Sequence, residues 1–206
     1  MIIRIAQIAT GLLLKKKLIS HDERDVYRYS FELLISTVMN MAIVLILGLL
    51  FHRLYETLVF LATFCTIKRF TGGLHMPSYG SCIIFFGCIY FLLLLTDRFF
   101  NIPVNGFFIA CTALSALPVL LLAPVIHPNK LLAPDEIIRL KKKVRWLVAL
   151  FSLLFSIAFI FFKSKMIARY MGYSMLLISF LVISGELINK MDMISRQRAQ
   201  TGVEDD

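Results

Sequence analysis

Apolar residues run through this chain in long blocks separated by short charged punctuation. Residues 33–51 carry no charge, close to the ~20 apolar residues a helix needs to cross a bilayer. His52 and Arg53 separate this block from 54–67, which is short for a span and holds Glu56 near its start. Blocks at 82–96, 103–126, 146–162 and 167–188 complete the series, with Asp97-Arg98 and Lys163-Ser164-Lys165 between them. Pro118 and Pro124 fall in the fourth block; they remove backbone donors and predict a kink that neighbouring helices can accommodate.

Before the first block, Ile2, Ile3, Ile5, Ala6, Ala9, Leu12 and Leu13 recur at helical spacing while Arg4, Gln7, Lys15 and Lys16 reach a polar side. Residues 1–20 therefore predict an amphipathic helix in the interface, too short and too basic to span. Lysines at 15, 16 and 17 stand where a signal peptide would have a small-residue cleavage site, so the N-terminus is expected to be retained. The longest polar connection is 127–145, and the tail 189–206 is polar and expected to be mobile. The pattern predicts an all-α, polytopic membrane protein: one membrane domain, 1–206, of about six transmembrane helices plus the N-terminal interfacial helix.

Composition agrees. Of the 206 residues, 59% are hydrophobic and 17% charged, against roughly 25% charged in an ordinary soluble domain. The net charge of +9 lies between apolar blocks and no soluble domain is large enough to hold a groove, so the anionic neighbour is membrane lipid and not nucleic acid. Lys and Arg concentrate in cytoplasmic loops. With the N-terminus inside, that side receives six Lys/Arg in 1–32, two in 68–81, six in 127–145 and three in the tail, leaving Arg53, Arg98, Lys163, Lys165 and Arg169 outside. Both termini and the 68–82 segment are then cytoplasmic.

That segment carries the candidate chemistry: Lys68-Arg69-Phe70-Thr71-Gly72-Gly73-Leu74-His75-Met76-Pro77-Ser78-Tyr79-Gly80-Ser81-Cys82. In continuous helix, His75 and Cys82 would stand about 10 Å apart along the axis, too far for proton transfer. Gly72, Gly73, Pro77 and Gly80 argue for a broken or folded-back chain that brings imidazole to thiol. A histidine that accepts the thiol proton makes the thiolate, which is the nucleophile. Cys82 at a helix start would also meet exposed backbone N–H groups suited to an oxyanion. Spacing alone leaves two readings open, a nucleophile with its base or a cysteine packed as a small apolar filler. The four cysteines, Cys65, Cys82, Cys88 and Cys111, show no CxxC pair, so neither a disulfide framework nor a paired-cysteine zinc site is expected. No HExxH is present, and His21, His52 and His127 sit in separate connections, so no metal and no cofactor is expected.

The segment resembles the signature of the accessory gene regulator B family, membrane cysteine endopeptidases that process quorum-sensing propeptides. Lys68-Arg69, Gly72-Gly73, His75 and Cys82 match its basic pair, Gly-Gly-x-His and Cys in register. Ala123-Pro124-Val125, then His127-Pro128-Asn129-Lys130 and the lysine-rich run, resembles the family's loop between its fourth and fifth spans. Two positions depart from the pattern: Lys68 stands where arginine is usual, and Met76-Pro77 replaces a small residue. The resemblance implies Cys82 as nucleophile and His75 as base, with Lys68, Arg69, Gly72, Gly73, Asn129 and Lys130 binding substrate or shaping the site.

The implied substrate is a short propeptide with an amphipathic N-terminal helix and an acidic C-terminal segment. Cleavage through an acyl-enzyme thioester would be followed by closure of a thiolactone or lactone ring, at the cytoplasmic face of a bacterial cell membrane. The resemblance also leans toward self-association as a homodimer. Glu186 and Asn40 are candidate groups to orient His75, since polar and ionisable residues within spans mark function; each also has a bland role, Glu186 reaching the interface and Asn40 joining two helices. Lys141, Lys142 and Lys143 are topology determinants and headgroup contacts, or an attraction for the acidic end of the propeptide. The main competing function is a small-molecule or peptide transporter, and a non-enzymatic scaffold is a third.

Overall fold

The computed structural model describes residues 2–73, 78–100, 102–125, 134–160 and 165–201. Among these, seven helices follow in order: α1 (Ile2–Lys15), α2 (Arg24–Leu50), α3 (Leu54–Thr71), α4 (Tyr79–Phe100), α5 (Gly106–Leu122), α6 (Pro134–Ile160) and α7 (Lys165–Thr201). The described residues hold no strand, only an isolated parallel bridge between Gly72 and Val125. The chain is thus all-α and multi-pass. Four helices, α2, α4, Asp135–Ile160 of α6 and Lys165–Ser195 of α7, are long and apolar enough to cross a bilayer. The apolar blocks predict about six crossings; α5 is a shorter apolar helix, and α3 carries Glu56 in its first turn and Lys68 and Arg69 in its last.

The helices outrun the apolar blocks. Residues 134–145, expected in a polar connection, belong to α6, which opens on Pro134 with Asp135 and Glu136 in its first turn, chemistry suited to a helix N-terminus. The tail expected to be mobile is helical as far as Thr201. Hydropathy marks where lipid ends, and a helix can continue into water beyond that point. The fourth block is shorter than expected for the opposite reason: α5 stops at Leu122 because Ala123, preceding Pro124, is extended at φ −76 and ψ 145, as the proline ring demands.

Two helix stops use the same device. Lys17 and His52 both adopt φ 55. After α1, Lys17 N–H donates to Leu14 O and Leu18 N–H to Leu13 O; after α2, His52 N–H donates to Leu49 O and Arg53 N–H to Gly48 O. This is the Schellman arrangement, which satisfies the last carbonyls of a helix. Ser20 opens the turn into α2 by donating its N–H and its hydroxyl to Glu23 Oε2 at 3.0 Å each, and these bonds hold the Glu23 carboxyl below its usual value.

The chain forms two compact units, Met1–Leu54 with Met76–Phe99, and Tyr55–His75 with Phe100–Asp206. In the first, α1 packs on α2 through buried Ala6 and Thr10 and leaves Ile3, Ile5, Ile8 and Leu12 exposed, the apolar face of an interfacial helix. Helices α2 and α4 run parallel, since their contacts ascend together. Tyr79 Oη donates to Glu32 Oε2 at 2.9 Å, a Cβ at Gly87 would stand 3.4 Å from Ile43, the Phe51 and Phe91 rings meet edge-on at 5.8 Å, and Arg53 Nε lies 3.9 Å from Asp97 Oδ2. At 1.5 Å per residue, the two polar pairs at the ends of this series are about 30 Å apart, the thickness of a bilayer's hydrocarbon core.

In the second unit, α7 is the buried helix, with Ala168, Tyr170, Ile178 and Val182 wholly covered, and α5 and α6 pack against it. Ser174 Oγ donates to Tyr170 O and to Phe60 O of α3, which ties α3 to α7 at buried depth. Gly172 admits Phe108 of α5, whose ring stacks edge-on against Tyr173 at 5.7 Å. A Cβ at Gly172 would stand 2.7 Å from the Phe108 ring and 3.0 Å from Thr112 Oγ1. Gly172→Val is therefore expected to push α5 from α7 and destabilise the protein by about 1–3 kcal/mol, read as a lower Tm in detergent.

Candidate active site

Cys82 lies near the start of α4, where Ser78 fixes the helix entry. Ser78 Oγ accepts from Ser81 N–H at 3.1 Å and shares a hydrogen bond with Ser81 Oγ at 2.7 Å, while Cys82 N–H makes the first intrahelical bond to Ser78 O at 3.1 Å. This is an N-cap in the usual sense, a side-chain oxygen holding a third-position N–H. The cap also corrects the expectation of a free N–H at the candidate nucleophile: the Cys82 N–H is committed, and the orphan donors of the first turn belong to residues before it.

The sulfur has a side-chain neighbour from α2. Asn40 Nδ2 donates to Cys82 Sγ at 3.9 Å, and the pair is part-buried. Asn40 Oδ1 is buried and has no hydrogen-bond partner among the described residues. Three residues before Cys82, the Tyr79–Glu32 hydrogen bond marks the polar edge, and Arg28 lies 3.8 Å from the same Glu32 carboxylate. Cys82 is therefore about 5 Å, one helical turn, inside that edge. Its thiol is half-buried, whereas Cys88, further along α4, is exposed.

The basic pair and the glycines form a separate cluster at the end of α3. Lys68 Nζ donates to Gly72 O at 2.5 Å. Gly72 and Gly73 have φ of 65 and 108, the left-handed region that only glycine enters freely. Neither tolerates a side chain: a Cβ on Gly72 would run into the Val125 carbonyl oxygen, and one on Gly73 would stand 2.9 Å from Leu181 O and 2.8 Å from Lys68 Nζ. Val125 N–H donates to Thr71 O at 2.9 Å, joining the segment after α5 to the segment after α3. The Ala123–Pro124 peptide bond is cis. Lys143 of α6 lies over the Phe70 ring at 5.6 Å, and Arg69 at 5.8 Å, so the lysine-rich run and the basic pair flank one aromatic ring.

Of the sequence-predicted site residues, His75, Asn129 and Lys130 lie outside the described residues. Lys68, Arg69, Gly72 and Gly73 form the α3 cluster, and Asn40 reaches Cys82 itself. Glu186 is 3.5 Å from Lys190 one turn along α7, so its carboxylate has a local cation. Sequence reasoning missed Ser78, although a serine just before an apolar run is a helix-start signal. It also missed Tyr79–Glu32 and Lys143–Phe70, whose partners are too distant in sequence for any spacing rule to pair.

The family described as accessory gene regulator B matches residues 5–184. AgrB-like protein 2 of Clostridium perfringens strain 13 is 35% identical over 77 residues, and an AgrB-like protein of strain SM101 is 34% identical over 77 residues. Each alignment covers 35% of this chain and 36% of the relative, so the match spans about a third of those proteins' length. No solved structure matches.

The glycine geometry predicts a contrast between two substitutions. Gly72→Ala puts a side chain at positive φ against a carbonyl oxygen and is expected to lower stability by more than about 1 kcal/mol. Gly11→Ala, in α1 with nothing within 4 Å of its Cβ, is expected to be neutral or mildly stabilising. Paired Tm measurements in detergent check both.

Proposed function

This chain belongs to the accessory gene regulator B family, and on that footing we propose that it is a membrane cysteine endopeptidase that processes a quorum-sensing propeptide. The observation that carries the proposal is the position of Cys82: inside the capped start of α4, an amide donor on its sulfur, one turn from the polar edge. A nucleophile there meets a peptide whose amphipathic helix lies in the interface.

His75 takes the thiol proton, and Cys82 Sγ attacks the carbonyl carbon at the cleavage site. As the C–S bond forms, the carbonyl π pair moves onto oxygen; the C=O bond then re-forms as the C–N bond breaks, and the departing amine carries away the proton held by His75. The acidic C-terminal fragment leaves and the remainder stays as a thioester on Cys82. An internal Cys or Ser of the peptide then attacks the thioester and closes a thiolactone or lactone ring, releasing the Cys82 thiol. Thioester and thiolactone are close in energy, so removal of the cleaved fragment helps drive the sequence forward.

The chemistry is assigned to the cytoplasmic face, with both termini inside and six crossings. The parallel course of α2 and α4 supports this orientation, because the Cys82 end is also the end at which the basic N-terminal segment enters α2. The basic residues grouped at Phe70, Arg69 and Lys143, with Lys141 and Lys142 nearby in sequence, suit an acidic peptide segment.

The test is co-expression with a candidate short propeptide that has an amphipathic start and an acidic end, following its cleavage by gel and mass spectrometry. Cleavage is expected to vanish in Cys82→Ala and His75→Ala and to persist in Cys88→Ala, with all variants in the membrane. Cutting by Cys82→Ala would overturn the nucleophile and turn attention to a transporter or scaffold. Replacing Lys141, Lys142 and Lys143 together with Gln should slow processing of the acidic peptide by about tenfold and that of a charge-neutralised peptide less. Equal loss for both would remove the electrostatic role.

A further inference from the structure

Attack on a peptide carbonyl moves the π electron pair onto oxygen, and that oxyanion needs donors at about 2.7–3.1 Å. The nearest main-chain candidates at the nucleophile are engaged: Cys82 N–H on Ser78 O and Ser81 N–H on Ser78 Oγ. The side chain that does reach the sulfur is Asn40, whose Nδ2 lies 3.9 Å from Sγ and carries two N–H donors. Only one of them points at sulfur in a hydrogen bond, so the other is left for a second acceptor.

We propose that Asn40 is the oxyanion-binding residue of Cys82, a role that rests on the function proposed above. As the C–S bond forms, the carbonyl oxygen comes within about 3 Å of the sulfur, into range of an amide already placed there. The negative charge passes from sulfur to oxygen, and Asn40 faces the charge before and after the transfer. A donor already placed beside the sulfur needs little reorganisation at the moment of reaction, which is what makes such donors effective. Its buried, unpartnered Oδ1 is the second sign of a site. A buried amide oxygen is normally satisfied, and beside a nucleophile an open acceptor suits the main-chain N–H of a bound peptide. One amide would then hold both the carbonyl oxygen and an N–H of the substrate backbone, with no demand on side-chain identity.

A purely structural Asn40, joining α2 to α4, makes different predictions. The experiment uses full-length protein in membranes with Cys65→Ser, Cys88→Ala and Cys111→Ser, so that iodoacetamide reports on Cys82 alone. Asn40→Leu and Asn40→Asp are compared with the parent and with Cys82→Ala, for cleavage of the candidate propeptide and for alkylation. Alkylation by iodoacetamide displaces iodide and creates no oxyanion. The expected result is a loss of cleavage on the order of 100- to 1000-fold in kcat, in both Asn40 variants, far larger than the accompanying change in KM or in the alkylation rate. Near-parental cleavage by both variants, with Cys82→Ala inactive, would overturn the oxyanion role and leave the peptidase function standing. Alkylation falling in step with cleavage would also overturn it, by placing the effect on the thiol or the fold. Cleavage by Cys82→Ala would instead remove the peptidase function on which the role rests.

Discussion

The structure depends on one constraint: within a bilayer no water is at hand to satisfy a polar group, so each must find its partner inside the chain. Several hydroxyls obey it locally. Thr10, Thr37, Thr66 and Thr96 each donate to the carbonyl four residues back, and Ser174 donates both to its own helix and to Phe60 of α3. Arg53 and Asp97 answer each other at the far end of α2 and α4. What the constraint forbids is backbone that leaves the helix unpaired, and this governs where the chain can break.

It breaks after α3 in a way that supplies its own partners. Thr71 O receives Val125 N–H, Gly72 O receives Lys68 Nζ, and both glycines take φ values that bring backbone against backbone. A basic residue that looked like a substrate contact is thus also a structural donor. Glycine is needed for two reasons at once, positive φ and the absence of room for a Cβ. The structural demands alone fall on these few residues, so a substitution at any of them carries a structural effect that has to be separated from any functional one.

Cys82, the proposed nucleophile, has a setting of its own. Its helix is capped by Ser78, its depth is set by the Tyr79–Glu32 bond, and its sulfur faces an amide from α2. Each contact lies at the end of a parallel helix pair that runs about the thickness of the hydrocarbon core. A thiol one turn inside that edge is shielded enough for electrostatic contacts to be strong while staying near the interface. The orphan oxygen of Asn40, like the Thr112 hydroxyl, departs from full pairing among the described residues, and beside a thiol such a departure suits a site.

The sequence by itself determined the helical class, the membrane solvent and the amphipathic character of 1–20, because apolar periodicity reports directly on which surface meets lipid. It singled out Lys68, Arg69, Gly72, Gly73, His75 and Cys82, because a basic pair, two glycines, a histidine and a cysteine in that order match a known signature. It did not reveal that helix continues through 134–145 and into the tail, because hydropathy registers the lipid boundary while caps and hydrogen bonds set the helix boundary. Only the tertiary structure decided that Asn40 meets Cys82 at 3.9 Å, that Lys143 shares Phe70 with Arg69, and that Val125 closes the backbone at Thr71. Partners 42 residues or more apart are joined by packing between helices, and no local spacing encodes that.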